Sequence, residues 1–310
     1  MNISRKEFLK KSTLLATGSL LPMGLTSATS GLSINNDITI LYTNDTHSRL
    51  DPFPMNAKEF AGLGGIARRS SLINQIRSTQ KNVLLLDAGD VFQGTSWFDV
   101  YGGEVDFKLM SEMNYDAMTI GNHEFDLGPD GFADAAKYAD FPFLAANYIV
   151  RNTPMASYVQ RQIVKEFDGF KIGIFGLGIE FEGVIDRSLT GSVRAADPIR
   201  NADQITKYLK NSLRCDYIIC LSHLGFHYSD ERVDDHDLAN SVENIDLIIG
   251  GHTHTFLDQP VVIQKASGKS TYITQMGHSG VRLGRIDLTN LGGMSDYDLQ
   301  SLYYTVGEDG

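Results

Sequence analysis

The stretch Ile120-Gly121-Asn122-His123-Glu124-Phe125-Asp126 follows a short apolar run at Ala117, Met118 and Ile120 and precedes a break at Gly128-Pro129. The run reads as a buried strand. The polar residues after it read as a loop that holds an amide, an imidazole and a carboxylate over a site. Upstream, Val83-Leu84-Leu85-Leu86 is a continuous apolar run, as expected of a central strand covered on both faces, and it delivers Asp87-Ala88-Gly89-Asp90. Between the two runs, residues 103–113 read as a helix. Before them, residues 38–42 read as a strand and 66–76 as a helix, with Ile66, Leu72, Ile73 and Ile76 at helical spacing. The order β, α, β, α, β predicts a layered α/β fold.

Downstream, residues 131–138 predict a helix and 142–145 a strand. A hairpin follows, with arms at 159–167 and 170–175 around the turn Asp168-Gly169. Residues 199–213 predict a helix with Ile205, Tyr208, Leu209 and Leu213 on one face. The strand 217–221 releases Ser222-His223-Leu224-Gly225, and the strand 246–249 releases Gly250-Gly251-His252-Thr253-His254. From 261 to 288 the pattern predicts a run of antiparallel strands with a turn at Ser267-Gly268-Lys269. Arg68, Arg69 and Arg77 read as a solvated helix face, and Trp97, Phe98 and Tyr101 as packing.

The chain has 310 residues, 42% apolar and 21% charged, which fits one soluble globular domain. Its net charge of −11 and pI near 5.1 argue against a general nucleic-acid binder. Residues 1–28 read as a signal peptide: Arg5, Lys6, Lys10 and Lys11 precede an apolar stretch from 14 to 25, and Thr26-Ser27-Ala28 suits cleavage. The segment SRKEFLK resembles a twin-arginine export signal with Lys6 in place of the second arginine. The expected location is therefore periplasmic or secreted, with no stable membrane span after cleavage. Cys215 and Cys220 lie in one apolar run, roughly 17 Å apart if it is a strand, so they read as structural thiols rather than a disulfide.

Five polar clusters each follow an apolar strand: Asp45 with His47, Asp90, Asn122 with His123 and Asp126, His223, and His252 with His254. Carboxyl ends of strands in an α/β fold open toward a common edge, so the clusters should converge. Singly, Asp45 and Asn122 fit turn residues, Asp90 a helix cap, and the histidines satisfied polar groups near a core. Together, at five strand ends in order, they make a metal site. The donors suit Zn²⁺, Mn²⁺ or Fe²⁺. There are too many for one tetrahedral ion but enough for two, and two ions about 3.5–4 Å apart can hold a hydroxide and a phosphoryl oxygen for in-line displacement.

The motifs DTH, GD, GNHEFD, SHLG and GGHTH, in this order, resemble the calcineurin-like metallophosphatases and, within them, the catalytic domain of bacterial 5′-nucleotidases. The resemblance covers roughly residues 37–290 and implies a four-layer α/β/β/α sandwich. It implies that Asp45, His47 and His254 hold a first metal, that Asn122, His223 and His252 hold a second, and that Asp90 bridges them. It gives His123 a catalytic contact with the phosphoryl oxygens or leaving group, oriented by Asp126. His254 stands where the 5′-nucleotidases sometimes have glutamine. The implied activity is a nucleotide phosphomonoesterase using in-line attack by metal-bound hydroxide. Alternatives are a 2′,3′-cyclic nucleotide phosphodiesterase, or one subunit of a two-chain nucleotidase. Residues 291–310 read as a tail without the C-terminal domain of the 5′-nucleotidases, so a separately encoded substrate domain is a candidate partner. His227 and His236 read as solvated, His278 as a rim residue, and Glu124 as a structural hydrogen-bond partner.

Overall fold

In β1 (Ile38–Thr43), Ile38, Ile40 and Tyr42 point to one buried layer and Leu41 to another, as expected of a strand covered on both faces. The structure, a computed structural model, describes residues 37–291 and 297–307. The chain divides into two units, Met1–Ile34 and Asn35–Gly310, and the expected leader at residues 1–28 lies outside the described residues. No helix among the described residues is long and apolar enough to cross a membrane.

After β1 come helix α1 (Ile66–Arg77), β2 (Asn82–Asp87), the short helix α2 (Ser96–Tyr101), α3 (Glu104–Glu112) and β3 (Ala117–Thr119). A 3₁₀ turn at His123–Phe125 leads into α4 (Gly128–Ala136), β4 (Phe143–Leu144) and β5 (Tyr148–Ile149). Next are β6 (Val159–Gln160), the hairpin β7 (Gln162–Phe167) and β8 (Phe170–Leu177), and β9 (Arg194–Ala195). Helix α5 (Pro198–Asn211) begins with Pro198 in its first turn, and the Asp197 side chain accepts from Arg200 N. Then follow β10 (Tyr217–Ser222), α6 (Asp235–Ser241) with an Asp234/Asp237 capping box, and β11 (Leu247–Gly250). The last elements are β12 (Val261–Gln264), β13 (Ser270–Thr274), β14 (Arg282–Thr289) and β15 (Asp298–Thr305).

Two sheets carry these strands, in orders β15-β14-β1-β2-β3-β4-β6 and β12-β13-β11-β10-β8-β7, and β5 pairs with β9 in a separate ribbon. The strands that feed the site are parallel: β1 with β2 and β2 with β3 in the first sheet, β8 with β10 and β10 with β11 in the second. Ile38, Ile40, Leu84 and Leu86 from the first sheet pack on Ile174, Ile219, Leu221 and Ile249 from the second. The outer face of the first sheet is covered by α1, α3 and α4 through Ile73, Phe107 and Phe132, and that of the second by α5 and α6 through Ile205, Leu209 and Leu238. The layers are α/β/β/α, as expected. Cys215 and Cys220 are free, buried thiols in the outer core of the second sheet.

Three expectations are corrected. The strands from 261 to 288 are not one antiparallel run: β12 and β13 pair antiparallel, but β13 joins β11 in parallel and β14 crosses to β1 in the other sheet. Residues 298–305, expected within a tail, form the edge strand β15, in register with β14 along its whole length. Arg69, expected on a solvated face, is only 3% exposed.

Candidate metal centre

All five clusters reach one edge, because β1, β2, β3, β10 and β11 end there. Two groups of donors form: Asp45, His47 and His254, and Asp90, His223 and His252. Asn122 joins the second group, its Oδ1 lying 2.7 Å from His252 Nδ1. Asp45 links the groups, with Oδ1 3.4 Å from His254 Nε2 and 4.0 Å from both His47 Nε2 and His223 Nε2. Asp90 Oδ2 is 3.0 Å from His223 Nε2, and Asp90 Oδ1 accepts from His123 N at 2.8 Å.

The backbone is bent to present these side chains. Asp45, His47, Asp90, His252 and His254 all have positive φ, between 49° and 70°. Each such residue costs about 1–3 kcal/mol, a cost the surrounding structure must hold in place. Buried Glu124 does much of this holding. Its carboxylate accepts from Gly121 N, Asp90 N, Val91 N and Phe92 N, tying the loop after β2 to the loop after β3. Gly121 is equally constrained, since a Cβ there would lie 2.2 Å from Asp90 Oδ1.

The donors fit a pair of divalent cations. His47 Nδ1 and His223 Nδ1 donate to the carbonyls of Phe92 (3.1 Å) and Ala88 (2.6 Å), which leaves each Nε2 lone pair for a ligand. His223 Nε2 is fully buried, with the Asp90 carboxylate 3.0 Å away as its one polar neighbour in the ion-pair range below 4.0 Å. His47 Nε2 and His254 Nε2 face each other at 2.9 Å. Burial lowers His47, and burial with the neighbouring His223 brings His252 down to about 4, so both favour the neutral ligating form. Burial raises the Asp90 carboxyl, but His223 outweighs it and holds Asp90 well below the usual carboxylate range. The same pair lifts His223, against burial, to about 10. A cation would replace that shared proton, because ligation requires the neutral imidazole.

Beside the donors, His123 Nδ1 lies 2.9 Å from Asp126 Oδ2, across the 3₁₀ turn, and its ring is 5.4 Å from that of His47. Burial pulls the His123 pKa down, but Asp126 and Asp90 outweigh it and raise it. His278 also reaches the site, stacked on His254 with centroids 4.8 Å apart. His227 and His236 lie elsewhere: exposed His227 pairs with Asp234, while His236 packs on Phe226 rather than standing free in solvent.

Two supporting residues escaped sequence reasoning. Asn44 Nδ2 donates to Asp45 Oδ2 at 2.6 Å while Asn44 Oδ1 accepts from Met276 N, which orients Asp45. Gln275 Nε2 donates to Gly251 O at 2.7 Å and steadies the GGHTH loop. Only the position of Asn44, directly before a strand-end aspartate, hinted at its role.

The calcineurin-like phosphoesterase family model matches residues 38–256. A trifunctional nucleotide phosphoesterase protein of Bacillus subtilis (strain 168) is 34% identical over 284 residues, covering 81% of this chain and 18% of the relative. The 5′-nucleotidase of Homo sapiens is 36% identical over 252 residues, covering 76% of this chain and 42% of the relative. The crystal structure of a 5′-nucleotidase precursor from Thermus thermophilus superposes with a TM-score of 0.76 at 33% identity, covering 87% of this chain and 55% of that one. In each case the chain spans less than two thirds of the relative. With its two-sheet sandwich and its match over most of the described residues, the chain belongs to the calcineurin-like phosphoesterase family.

Proposed function

We propose that the chain is a divalent-metal-dependent hydrolase of phosphate esters that acts on nucleoside 5′-monophosphates. The observation that carries this is the meeting of two donor groups across Asp45 and Asp90, with the His123–Asp126 pair beside them. Asp45, His47 and His254 would hold one ion, Asn122, His223 and His252 the other, and Asp90 would be shared. When bound, such a pair supplies a Lewis-acid clamp for phosphoryl oxygens and lowers the pKa of an attacking water. Zn²⁺, Mn²⁺ and Fe²⁺ all suit these donors.

The chain's own residues do the rest. Asp126 accepts the His123 Nδ1 proton, which fixes the ring and leaves Nε2–H free to donate to a phosphoryl oxygen or to the departing alkoxide. The hydrogen bond from His123 to Asp126 favours the protonated, donating ring. Glu124 and Asn44 hold the loops still, so little reorganisation is needed as charge develops.

The proposal extends to export through the leader read at residues 1–28. The Bacillus relative is named a trifunctional nucleotide phosphoesterase, which is broader than a 5′-monoesterase, so a cyclic diester is included in the test. The test is phosphate release by the purified chain with Mn²⁺ or Zn²⁺ from adenosine 5′-monophosphate and 2′,3′-cyclic adenosine monophosphate. Release from the 5′-monophosphate is expected. Two bound metals with no hydrolysis of either ester, with or without a candidate partner chain, would refute the proposal.

A further inference from the structure

The ribbon of β5 and β9 borders a cavity of about 440 Å³ that shares no lining residue with the metal centre. Tyr148 and Ile149 of β5, the following Val150 and Arg151, and Arg161 and Asn201 line it. Among the described residues no carboxylate does. In a chain of net charge −11, lysines across the surface find an acid: Lys81, Lys137, Lys165 and Lys207 each pair with an aspartate. Arg151 and Arg161 have no such partner among the described residues. Two guanidinium groups on one cavity repel each other, and the lining supplies no negative charge to relieve them.

The walls are fixed in advance. Tyr148 pairs with Ala195 and Ile149 with Arg194 across the ribbon. Asn147 ties the ribbon to Gly178 twice, donating from Nδ2 at 2.7 Å and accepting at Oδ1 at 3.0 Å. Arg161 Nη2 donates to Asn201 Oδ1 at 3.0 Å, and Asn201 Nδ2 donates in turn to Asp197 O at 2.8 Å. One guanidinium is thereby held at the cavity with its other N–H groups unused. Beside it, Ile149 is 44% exposed, an apolar side chain on a cationic surface.

A ligand that completes this cavity carries negative charge at one end and carbon at the other. A carboxylate is satisfied by one guanidinium fork, whereas a phosphoryl group has a charge of about −2 and three terminal oxygens, enough for two. The volume falls within the range of small-molecule sites, more than a bare anion fills. We propose that the cavity is a second anion site, which takes the phosphoryl group of a small organic phosphate between Arg151 and Arg161 and its carbon portion against Ile149 and Val150. The site is separate from the metal donors, so the inference does not depend on hydrolysis there. Tyr148 nonetheless connects the two places: its ring meets that of Phe125, in the turn between His123 and Asp126, at 5.7 Å between centroids.

The test is a titration of the full, ¹⁵N-labelled chain with bound Zn²⁺, followed by amide NMR. Phenylphosphonate is the probe, because its P–C bond resists phosphate-ester hydrolysis. The amides of Ile149, Val150, Arg151 and Asn201 should shift saturably, with half-saturation at about 0.1–1 mM, as a weak single-site ligand gives. In the double variant Arg151→Gln, Arg161→Gln that affinity should fall about tenfold or more, while the spectrum elsewhere matches wild type, since both arginines are exposed. Inorganic phosphate should move the same amides at about tenfold higher concentration, because it leaves the aliphatic wall uncovered. Phenylacetate, with a carboxylate in place of the phosphonate, should also bind more weakly. No saturable shift at these amides, or an unchanged affinity in the double variant, would overturn the site. Inorganic phosphate or phenylacetate binding as tightly as phenylphosphonate would overturn its assignment to an organic phosphate.

Discussion

His123 and Gly121 flank Asn122 and act in different ways. His123 touches no donor nitrogen, yet its Nδ1 is fixed by Asp126 and its backbone N–H is held by Asp90. His123→Ala should therefore lower kcat for phosphate release by about 10²–10⁴, the range for a lost proton donor, while metal content measured by elemental analysis stays unchanged. Gly121→Ala should do the opposite. Its new Cβ, 2.2 Å from Asp90 Oδ1, would push the Asp90 carboxylate out of place. Metal affinity should fall about 10–100-fold, as for other losses of support around a ligand, and excess Mn²⁺ should restore part of the rate. The donors themselves were legible in the sequence because each follows an apolar strand and has a chemistry of its own. Asn44 and Gln275 were not, because their partners are 232 and 24 residues away.

Helices α1 and α3 show where local pattern stops informing. Arg69 sits among residues that read as a wet face, yet its guanidinium is buried against Gly280, where a Cβ would lie 2.1 Å from Nη1. Helical spacing carries no trace of that remote glycine. Asp106 on α3 is buried nearby and accepts from Ser48 Oγ at 3.0 Å. Burial pushes its carboxyl up to about 7, against the pull of Ser48. A carboxyl whose pKa is raised on folding contributes stability that is present below about pH 4 and lost as pH rises toward 7. Asp106→Asn keeps an acceptor for Ser48 and removes the titration. Its melting temperature relative to wild type should rise between pH 4 and pH 8, by an amount equivalent to about 4 kcal/mol at most. Parallel pH profiles for the two proteins would contradict this.

At the scale of the molecule, the β, α, β order predicts a layered fold, and the layers found are α/β/β/α. What stayed hidden was which sheet each late strand joins. β13 and β14 have similar alternating patterns, and only the pairings Ile248 with Ile273 and Ile40 with Ile286 separate them. Edge strand β15 was missed for the same reason, since its half-exposed alternation has meaning only beside β14. Bringing β1, β2 and β3 of one sheet to the same edge as β10 and β11 of the other is what assembles two donor groups instead of one. If the two groups act as one centre, both must bind metal before the chain hydrolyses an ester, and titrating Mn²⁺ into metal-free chain while following phosphate release from adenosine 5′-monophosphate measures this. The rate should climb until about two equivalents are bound and then level off. A rate that saturates at one equivalent, or no release at any loading, would show that the two donor groups do not work as a metal pair.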